Sequence, residues 1–277
     1  RLMSSGCKQD LTAVWGEKDT AYAVGRGGAV VRIRKGRCKT MEVPTGAHLN
    51  AVWGLGSSWV CAVGDQGTVL VHDGESWQLL PLSFETSFHT LAGTGPDNIC
   101  VAGPEPGLLR YDGYAWNHVP LPEEGVINQL FVVEDVVHAV GGTRQGGALY
   151  RLERSGLVRD PGLPRCEWLE RAWQGWGPTF GVVTAQGQAL VRDEEGWCVE
   201  QLPLELASAL ASGEVTRAVG TSGRHAVIVG RGEQGWQVEA SMRGLQLFGV
   251  WCAESPKPPR LPPAEPPPAP ADGGEAA

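Results

Sequence analysis

The sequence predicts an all-β fold, and three observations lead to that prediction. The chain of 277 residues is rich in glycine, with 39 residues, and it carries 11 Trp against only 5 Phe and 4 Tyr. No long stretch alternates polar and apolar residues with the period of a helix, so short strands, tight turns and aromatic anchors are expected. The third observation is that a segment of roughly 40 residues recurs along the chain, as it does in repeat proteins.

The repeat is clearest in its first strand. LTAVWG from Leu11 recurs as LNAVWG from Leu49, and LFGVW returns near the end of the chain. The repeat starts lie at residues 11, 49, 88, 127, 169, 206 and 247. Their spacing is close to the roughly 40–45 residues of a four-stranded propeller blade such as the WD40 repeat. The sequence therefore predicts a β-propeller of four-stranded antiparallel blades.

The second repeat shows the order of the blade. Strand a is LNAVWG, strand b is WVCAVG, strand c is TVLVHDG and strand d is SWQLLPL. Glycines between b and c, at Gly64 and Gly67, supply the positive φ of a tight hairpin, and Asp73-Gly74 between c and d is a dipeptide preferred by two-residue hairpins.

A tryptophan opens strand d in four repeats, where it can pack over its blade. Two repeats depart from this rule, because Arg37 and Leu157 stand at the tryptophan position. The four tryptophans are Trp77, Trp116, Trp197 and Trp236.

The number of blades depends on the two ends of the chain. We expect seven blades, the last incomplete or shared, with residues 247–251 as its strand a and residues 1–7 as its strand d. Its strands b and c would come from residues upstream of Arg1 or from another chain, so that the ring leaves no free sheet edge. A six-bladed ring is the alternative. In either case residues 1–252 form the propeller, and the proline-rich residues 253–277 are expected to be a disordered or polyproline-like tail.

The run AVGDQGTVLVHDGESW resembles the repeats of photosystem-assembly and sialidase-type propellers, in which an Asp-box turn precedes a tryptophan. It is still more similar to the AVWG…AVG…DG..W repeats common in proteins of myxobacteria. The resemblance covers Leu11 to about Met242 and implies a fold rather than a reaction. It implies for Asp73 and Asp112 only the role of a structural turn, and the hydroxyl residue usual two places before the Asp is replaced by Val71 or Arg110.

Net charge limits the class of partner. The formal charge of −8 and the pI near 5.3 argue against duplex nucleic acid or an anionic membrane as the main partner. One repeat is locally basic, which we interpret as a solvated outer strand, with a binding patch as the alternative. Its cations are Arg26, Arg32, Arg34, Lys35, Arg37 and Lys39. No stretch approaches the roughly 20 apolar residues that span a bilayer.

No catalytic, metal or cofactor site is predicted. The sequence has no GxSxG elbow and no CxxC pair, and its glycine-rich loops precede no helix that could bind phosphate. The loop acids are interpreted as solvated; they are Glu123, Glu124, Glu134, Asp135, Asp193, Glu194 and Glu195. The histidines are scattered over different repeats; they are His48, His72, His89, His118, His138 and His225.

Sialidase chemistry is not expected, because no tyrosine lies on a channel-facing strand a. The tyrosines are Tyr22, Tyr111, Tyr114 and Tyr150. The loops that join d to a and b to c vary between repeats, which favours one large partner over a repeated small ligand. We therefore expect a non-enzymatic protein-interaction scaffold, of which a module or subunit of a larger assembly is one form. The alternatives are a carbohydrate- or surface-binding propeller and a hydrolase or lyase acting at the channel mouth.

The compartment is left open by the sequence. The odd number of cysteines, two of them inside apolar strands, favours the cytoplasm. A secreted protein or lipoprotein stays an alternative, because the chain starts at Arg1 and its N-terminus appears incomplete.

Overall fold

A computed structural model describes residues 5–174, 178–204, 206–211, 216–232 and 235–243, together with residues 247 and 250. Twenty-four strands are arranged as six antiparallel sheets of four, each meandering from its first strand to its fourth. We number these sheets as blades 1 to 6 and call their strands a to d. The described residues contain one helical segment, a three-residue 3-10 turn at Arg26–Gly28.

The strands of the first three blades have the following bounds. Blade 1 comprises β1 Leu11–Glu17, β2 Thr20–Gly25, β3 Val30–Arg34 and β4 Arg37–Thr40. Blade 2 comprises β5 Leu49–Gly56, β6 Trp59–Gly64, β7 Val69–His72 and β8 Trp77–Leu79. Blade 3 comprises β9 Thr90–Gly95, β10 Asn98–Ala102, β11 Leu108–Tyr111 and β12 Trp116–Val119.

The other three blades follow the same order. Blade 4 comprises β13 Gly125–Val133, β14 Val136–Thr143, β15 Gly146–Glu153 and β16 Gly156–Arg159. Blade 5 comprises β17 Leu169–Gln174, β18 Phe180–Thr184, β19 Gln188–Arg192 and β20 Trp197–Gln201. Blade 6 comprises β21 Leu206–Ala211, β22 Thr216–Ser222, β23 His225–Gly232 and β24 Gly235–Arg243.

Among the described residues, the core has five apolar clusters, one between each pair of consecutive blades from 1–2 to 5–6. Strand b lies at the centre of its blade and is the most buried strand, as β2 and β6 show. The cluster between blades 1 and 2 contains Tyr22, Leu70 and Trp77. The thiols of Cys61 and Cys100 are buried in the next clusters, where desolvation raises the pKa of Cys100 to about 12. Both cysteines therefore serve as small apolar side chains.

The six-bladed alternative is the one that the structure shows, and the expectation of a seventh blade is corrected. Residues 5–7 were expected to end an outer strand, but they form a bend in which Gly6 has a φ of +70°. Leu247 and Val250 lie in no strand, and the rest of 247–251 is outside the described residues. The predicted tail at 253–277 is also outside them.

The glycine that ends strand b allows two strands to approach closely. A Cβ on Gly64 would lie 1.9 Å from the carbonyl oxygen of His48, which precedes strand a of the same blade. A Cβ on Gly25 would lie 2.0 Å from the corresponding carbonyl oxygen of Asp10, and a Cβ on Gly141 would lie 1.8 Å from that of Val126. The AVG segment of the repeat therefore needs glycine for space rather than for a left-handed conformation.

The hairpin between strands c and d is closed by one backbone bond and by an aspartate side chain. Gly74 and Gly113 have positive φ, as predicted. His72 and Trp77 are the last paired residues, and Asp73 N then donates to Ser76 O at 3.3 Å, which leaves Gly74 and Glu75 between the bonded residues. The carboxylate of Asp73 accepts backbone N–H bonds from Glu75 and Ser76, both at 2.9 Å, and thus stabilises the turn from inside.

Candidate functional site

The d–a and b–c loops together form one face of the propeller, which we call the upper face. Backbone bonds tie the two kinds of loop together: Gly67 N donates to Thr86 O at 2.7 Å, and Gly147 N to Cys166 O at 2.9 Å. His48 takes part as well, since its Nδ1 accepts the N–H of Gly27 at 2.9 Å. The upper face is therefore a firm surface on which irregular loops are held by the regular strands.

Strand a carries a β-bulge near its start in blades 1, 2, 4, 5 and 6. In blades 1, 2 and 4 the bulged residue turns its side chain toward the next blade. Asn50 Nδ2 donates to Phe88 O at 3.0 Å, and Asn128 Nδ2 donates to Leu169 O at 2.8 Å. Thr12 and His89 make the corresponding contacts in blades 1 and 3, at 2.6 and 2.9 Å. These polar side chains join neighbouring inner strands.

Blade 5 departs from this pattern. Glu170 occupies the bulge and cannot donate to a carbonyl while it is ionised. Arg171 lies beside it, with Nη1 4.0 Å from Glu170 Oε2 and 2.7 Å from Glu170 O. Desolvation lowers the pKa of the Arg171 guanidinium, and the Glu170 charge raises it.

His89 is the third ionisable group of the inner strands. Desolvation lowers its pKa; the bond to Ile127 O acts in the opposite direction, and the Arg171 charge lowers the pKa further. The inner strands therefore bring one acid, one arginine and one histidine near each other. His89 and Arg171 bond to the backbone carbonyls of Ile127 and Glu170, and Glu170 pairs with Arg171; these contacts hold the strands in place.

Three other histidines pack against aromatic rings or lie beside a backbone carbonyl. His72 is buried against Tyr22 and Trp77, with ring centroids 5.7 and 5.1 Å away. His138 lies between Phe131 and Phe180, and His118 Nε2 is 3.0 Å from Pro106 O. Within the described ranges, no three His, Cys, Asp or Glu side chains are grouped as metal ligands would be.

One loop acid differs from the expectation that all are solvated. Glu123 is partly buried and accepts bonds from both Arg159 Nη1, at 2.8 Å, and Tyr150 Oη, at 3.1 Å. Desolvation and the neighbouring carboxylate raise the pKa of Tyr150. Glu123 is buried because its d–a loop folds back over strands c and d of the blade that follows. The tyrosines lie on strands b or c or in a turn, so no tyrosine and acid are placed together on an inner strand.

A groove runs along the boundary of blades 2 and 3. Its middle is a hollow of about 450 Å³ beneath the linker that follows β8, lined by Leu80, Leu82, Phe84, Tyr111, Tyr114 and Trp116. A second hollow of about 240 Å³ shares Leu80 and Tyr111 with it, and a third of about 450 Å³ shares Phe84. We call these three neighbouring hollows the 2–3 groove.

Apolar and aromatic side chains are exposed along the 2–3 groove. Tyr114 is 97% exposed at the tip of its hairpin, Phe84 is 46% exposed, and Leu79 is 49% exposed. These are three of the eight large apolar side chains that are exposed in the described part of the chain. Side chains of this kind are enriched in the central contacts of protein interfaces.

The third hollow of the groove opens on the upper face. It lies between Thr86 and the b–c loop of blade 3, which spans residues 103–107, and Leu108 and Phe88 form its floor. Glu85 and Glu105 stand at its rim. The groove thus combines an apolar floor with a polar border, which is the usual composition of a site that binds polypeptide.

The sequence showed the loops of the upper face but not this groove. Leu80 and Leu82 were assigned to strand d and Phe84 to the d–a loop, whereas strand d ends at Leu79 in the structure. Apolar residues at alternate positions outside any strand need a surface to contact, and these line the groove. The polar residue in the second position of strand a marks the bulges, but it does not specify a bond to the next blade.

No helix of the described residues is long and apolar enough to cross a membrane. No protein-family model matches the chain, and no curated protein matches it significantly.

Solved structures do match the fold. A YCF48 propeller bound to D1 peptide is 16% identical, with a TM-score of 0.62 over 83% of this chain and 81% of that one. The β-propeller domain of Cps50 (Swd1) from Myceliophteria thermophila is 11% identical, with a TM-score of 0.68 over 88% and 90%. The WD40 propeller domain of Doa1 is 11% identical, with a TM-score of 0.67 over 89% and 87%. The expected distant similarity to assembly-factor propellers is confirmed, and the chain has the β-propeller fold.

Proposed function

We propose that the chain is a non-enzymatic protein-interaction scaffold that binds an extended segment of a partner protein in the 2–3 groove. The observation that carries the proposal is the groove itself, a row of three neighbouring hollows with apolar side chains in their lining and with exposed Phe84 and Tyr114 at their border. A peptide in it would bury these two aromatic rings at little cost in ordering, because Tyr114 is on a hairpin turn and the linker that carries Phe84 is held by the bond from Gly67 N to Thr86 O.

Two further observations support a protein partner. One structural neighbour was solved with a peptide bound, so a propeller of related shape can hold one. The inner strands offer little to a reacting molecule, since His89 and Asn128 spend hydrogen bonds on backbone carbonyls. We also propose that the repeats are of the type common in myxobacterial proteins. This second proposal concerns the ancestry of the chain and not its function.

The proposal is tested by selecting peptides on the intact chain from a random display library and measuring their affinity. We predict that Phe84→Ala with Tyr114→Ala weakens the selected peptides at least tenfold, because truncation of an interface anchor typically costs more than about 1 kcal/mol. Val199→Ala and Val238→Ala are the matched controls, since both remove exposed apolar side chains from blades 5 and 6, away from the groove. Equal loss in the controls, or no loss in the groove variant, would refute the assignment.

A second comparison separates the propeller from the end of the chain. Peptides are bound to the intact chain and to a form that lacks residues 253–277. The proposal expects equal affinity for the two forms. Loss of binding in the shortened form would move the site from the groove to the proline-rich segment.

A further inference from the structure

Blade 1 is basic in a chain that is acidic overall. Between Leu11 and Thr40 the sequence holds seven Lys or Arg and two acids, a net charge of +5, so the rest of the chain carries −13. Five of the seven cations are in one outer hairpin, formed by β3 and β4 and the turn between them. They line a hollow of about 410 Å³ together with Cys38; they are Arg32, Arg34, Lys35, Arg37 and Lys39.

Strand pairing places four of these cations on one face of the sheet. Arg32 is directly opposite Lys39, and Arg34 is directly opposite Arg37. Residues opposite each other, and residues two apart on one strand, share a face, so all four project from the same side as Tyr22. We call them the basic face. Like charges directly opposite each other destabilise a hairpin, so the sheet itself gives no reason for this arrangement.

Among the described residues, no acidic side chain neutralises the basic face. Lys35, in the turn, is 3.9 Å from Asp19, but Arg32, Arg34, Arg37 and Lys39 make no ion pair or hydrogen bond with a described side chain. The face also departs from the repeat, because Arg37 stands where four other blades have a tryptophan. A packing residue has thus been replaced by a charge that stays exposed.

β4 offers a second means of recognition. It is the outermost strand of its sheet and pairs only with β3, so its other edge has unpaired backbone N–H and C=O groups. An extended peptide can add to such an edge, with side chains at alternate positions beside those of β4. The cations repel a second copy of this strand and attract an acidic one.

We propose that the basic face and the free edge of β4 bind an extended acidic segment of a partner protein, with carboxylates at alternate positions beside Arg37 and Lys39. Two residues of an extended chain advance roughly 6–7 Å, which is also the spacing between Arg37 and Lys39 along their strand. The geometry therefore fits a segment in which every second residue is Asp or Glu.

A long polyanion fits this surface less well than a short acidic segment does. RNA or an anionic membrane extends beyond one hairpin and meets the remaining chain, whose net charge is −13. The field of the basic face is screened within about 8 Å at physiological ionic strength, so it cannot offset that repulsion. A segment that lies on one hairpin avoids it. This inference does not depend on the 2–3 groove, and either proposal can fail without the other.

The test uses the intact chain and a fluorescent 12-residue peptide in which Glu alternates with Thr or Val. We expect saturable binding that weakens as NaCl is added, and at least a tenfold loss for Arg34→Glu. Arg154→Glu is the matched control, because Arg154 is exposed in the corresponding turn of blade 4 and the substitution changes the net charge equally. A peptide with Gln in place of Glu should bind at least tenfold more weakly than the Glu peptide.

Arg37→Trp distinguishes a binding role from a structural one. It restores the residue found in the other blades and removes the repulsion from Arg34, so Tm should rise by a few degrees while peptide affinity falls. The proposal is wrong if Arg34→Glu and Arg154→Glu bind alike, if the Gln peptide binds as well as the Glu peptide, or if single-stranded RNA binds more tightly than either. A fall in Tm for Arg37→Trp with unchanged affinity would show that the cation has only a structural role.

Discussion

At the scale of single residues, one carboxylate organises each of three hairpins. Asp73, Asp112 and Asp193 each accept two backbone N–H bonds from the residues that follow, at 2.8–3.1 Å. The sequence predicted two of these turns, at Asp73-Gly74 and Asp112-Gly113, because Asp-Gly is a strong local signal. It did not predict the turn at Asp193, where Glu194 follows, or the backbone N–H bonds that the aspartate oxygens accept.

The aspartate turns predict a pH dependence. Bonds from Ser76 and Glu75 lower the pKa of Asp73 below its usual value of 3.8. A lowered pKa means stabilisation that is present above that value and is lost as the pH falls through the lower, folded-state pKa. We therefore expect Asp73→Ala to lower the urea midpoint at pH 7, and the difference from wild type to shrink as the pH falls below about 4.

The control for this prediction is Glu75→Ala in the same turn. Glu75 contributes its backbone N–H to the bond with Asp73, so removing its side chain leaves the turn intact. Its midpoint should match wild type at every pH. A difference between Asp73→Ala and wild type that persists unchanged at pH 3 would contradict the role assigned to the carboxylate.

At the scale of elements, the repeats could be recognised in the sequence because particular residues mark where the strands begin and end. Leu49 begins a strand a, Gly64 ends a strand b, and Trp77 begins a strand d, as the repeat pattern indicated. The bulges were not foreseen. They depend on a contact between blades, such as that of Asn50 with Phe88, which no property of a single strand specifies.

The glycine that ends strand b yields the second prediction. Gly64→Ala should lower the free energy of unfolding by about 2–3 kcal/mol, because a backbone carbonyl at 1.9 Å must move to make room. The measurement is urea unfolding. Gly46→Ala is the matched control, since no atom lies within 4 Å of a Cβ there and its φ is not positive, and it should be nearly neutral. Equal effects at the two positions would mean that the close approach is not what selects glycine.

At the scale of the whole molecule, the regular strands build a scaffold and the departures from regularity supply its surfaces. The 2–3 groove exists because the linker containing Leu80 and Phe84 lies across two blades, an arrangement that becomes visible only after folding. The basic face was visible in the sequence and was interpreted as solvated. The pairing of strands β3 and β4 changed that interpretation, because it places Arg34 opposite Arg37 without a counter-ion among the described residues.

The most direct test of the central proposal is a hydrogen-exchange footprint of a selected peptide on the intact chain. We predict slower exchange of backbone amides at residues 82–86 and 111–116 when the peptide is bound, because these segments border the groove. Amides of β13 and β17 on the inner strands should exchange as they do in the free protein. Protection confined to the inner strands, with none along the groove, would contradict the proposal that the 2–3 groove is where this propeller binds its partner.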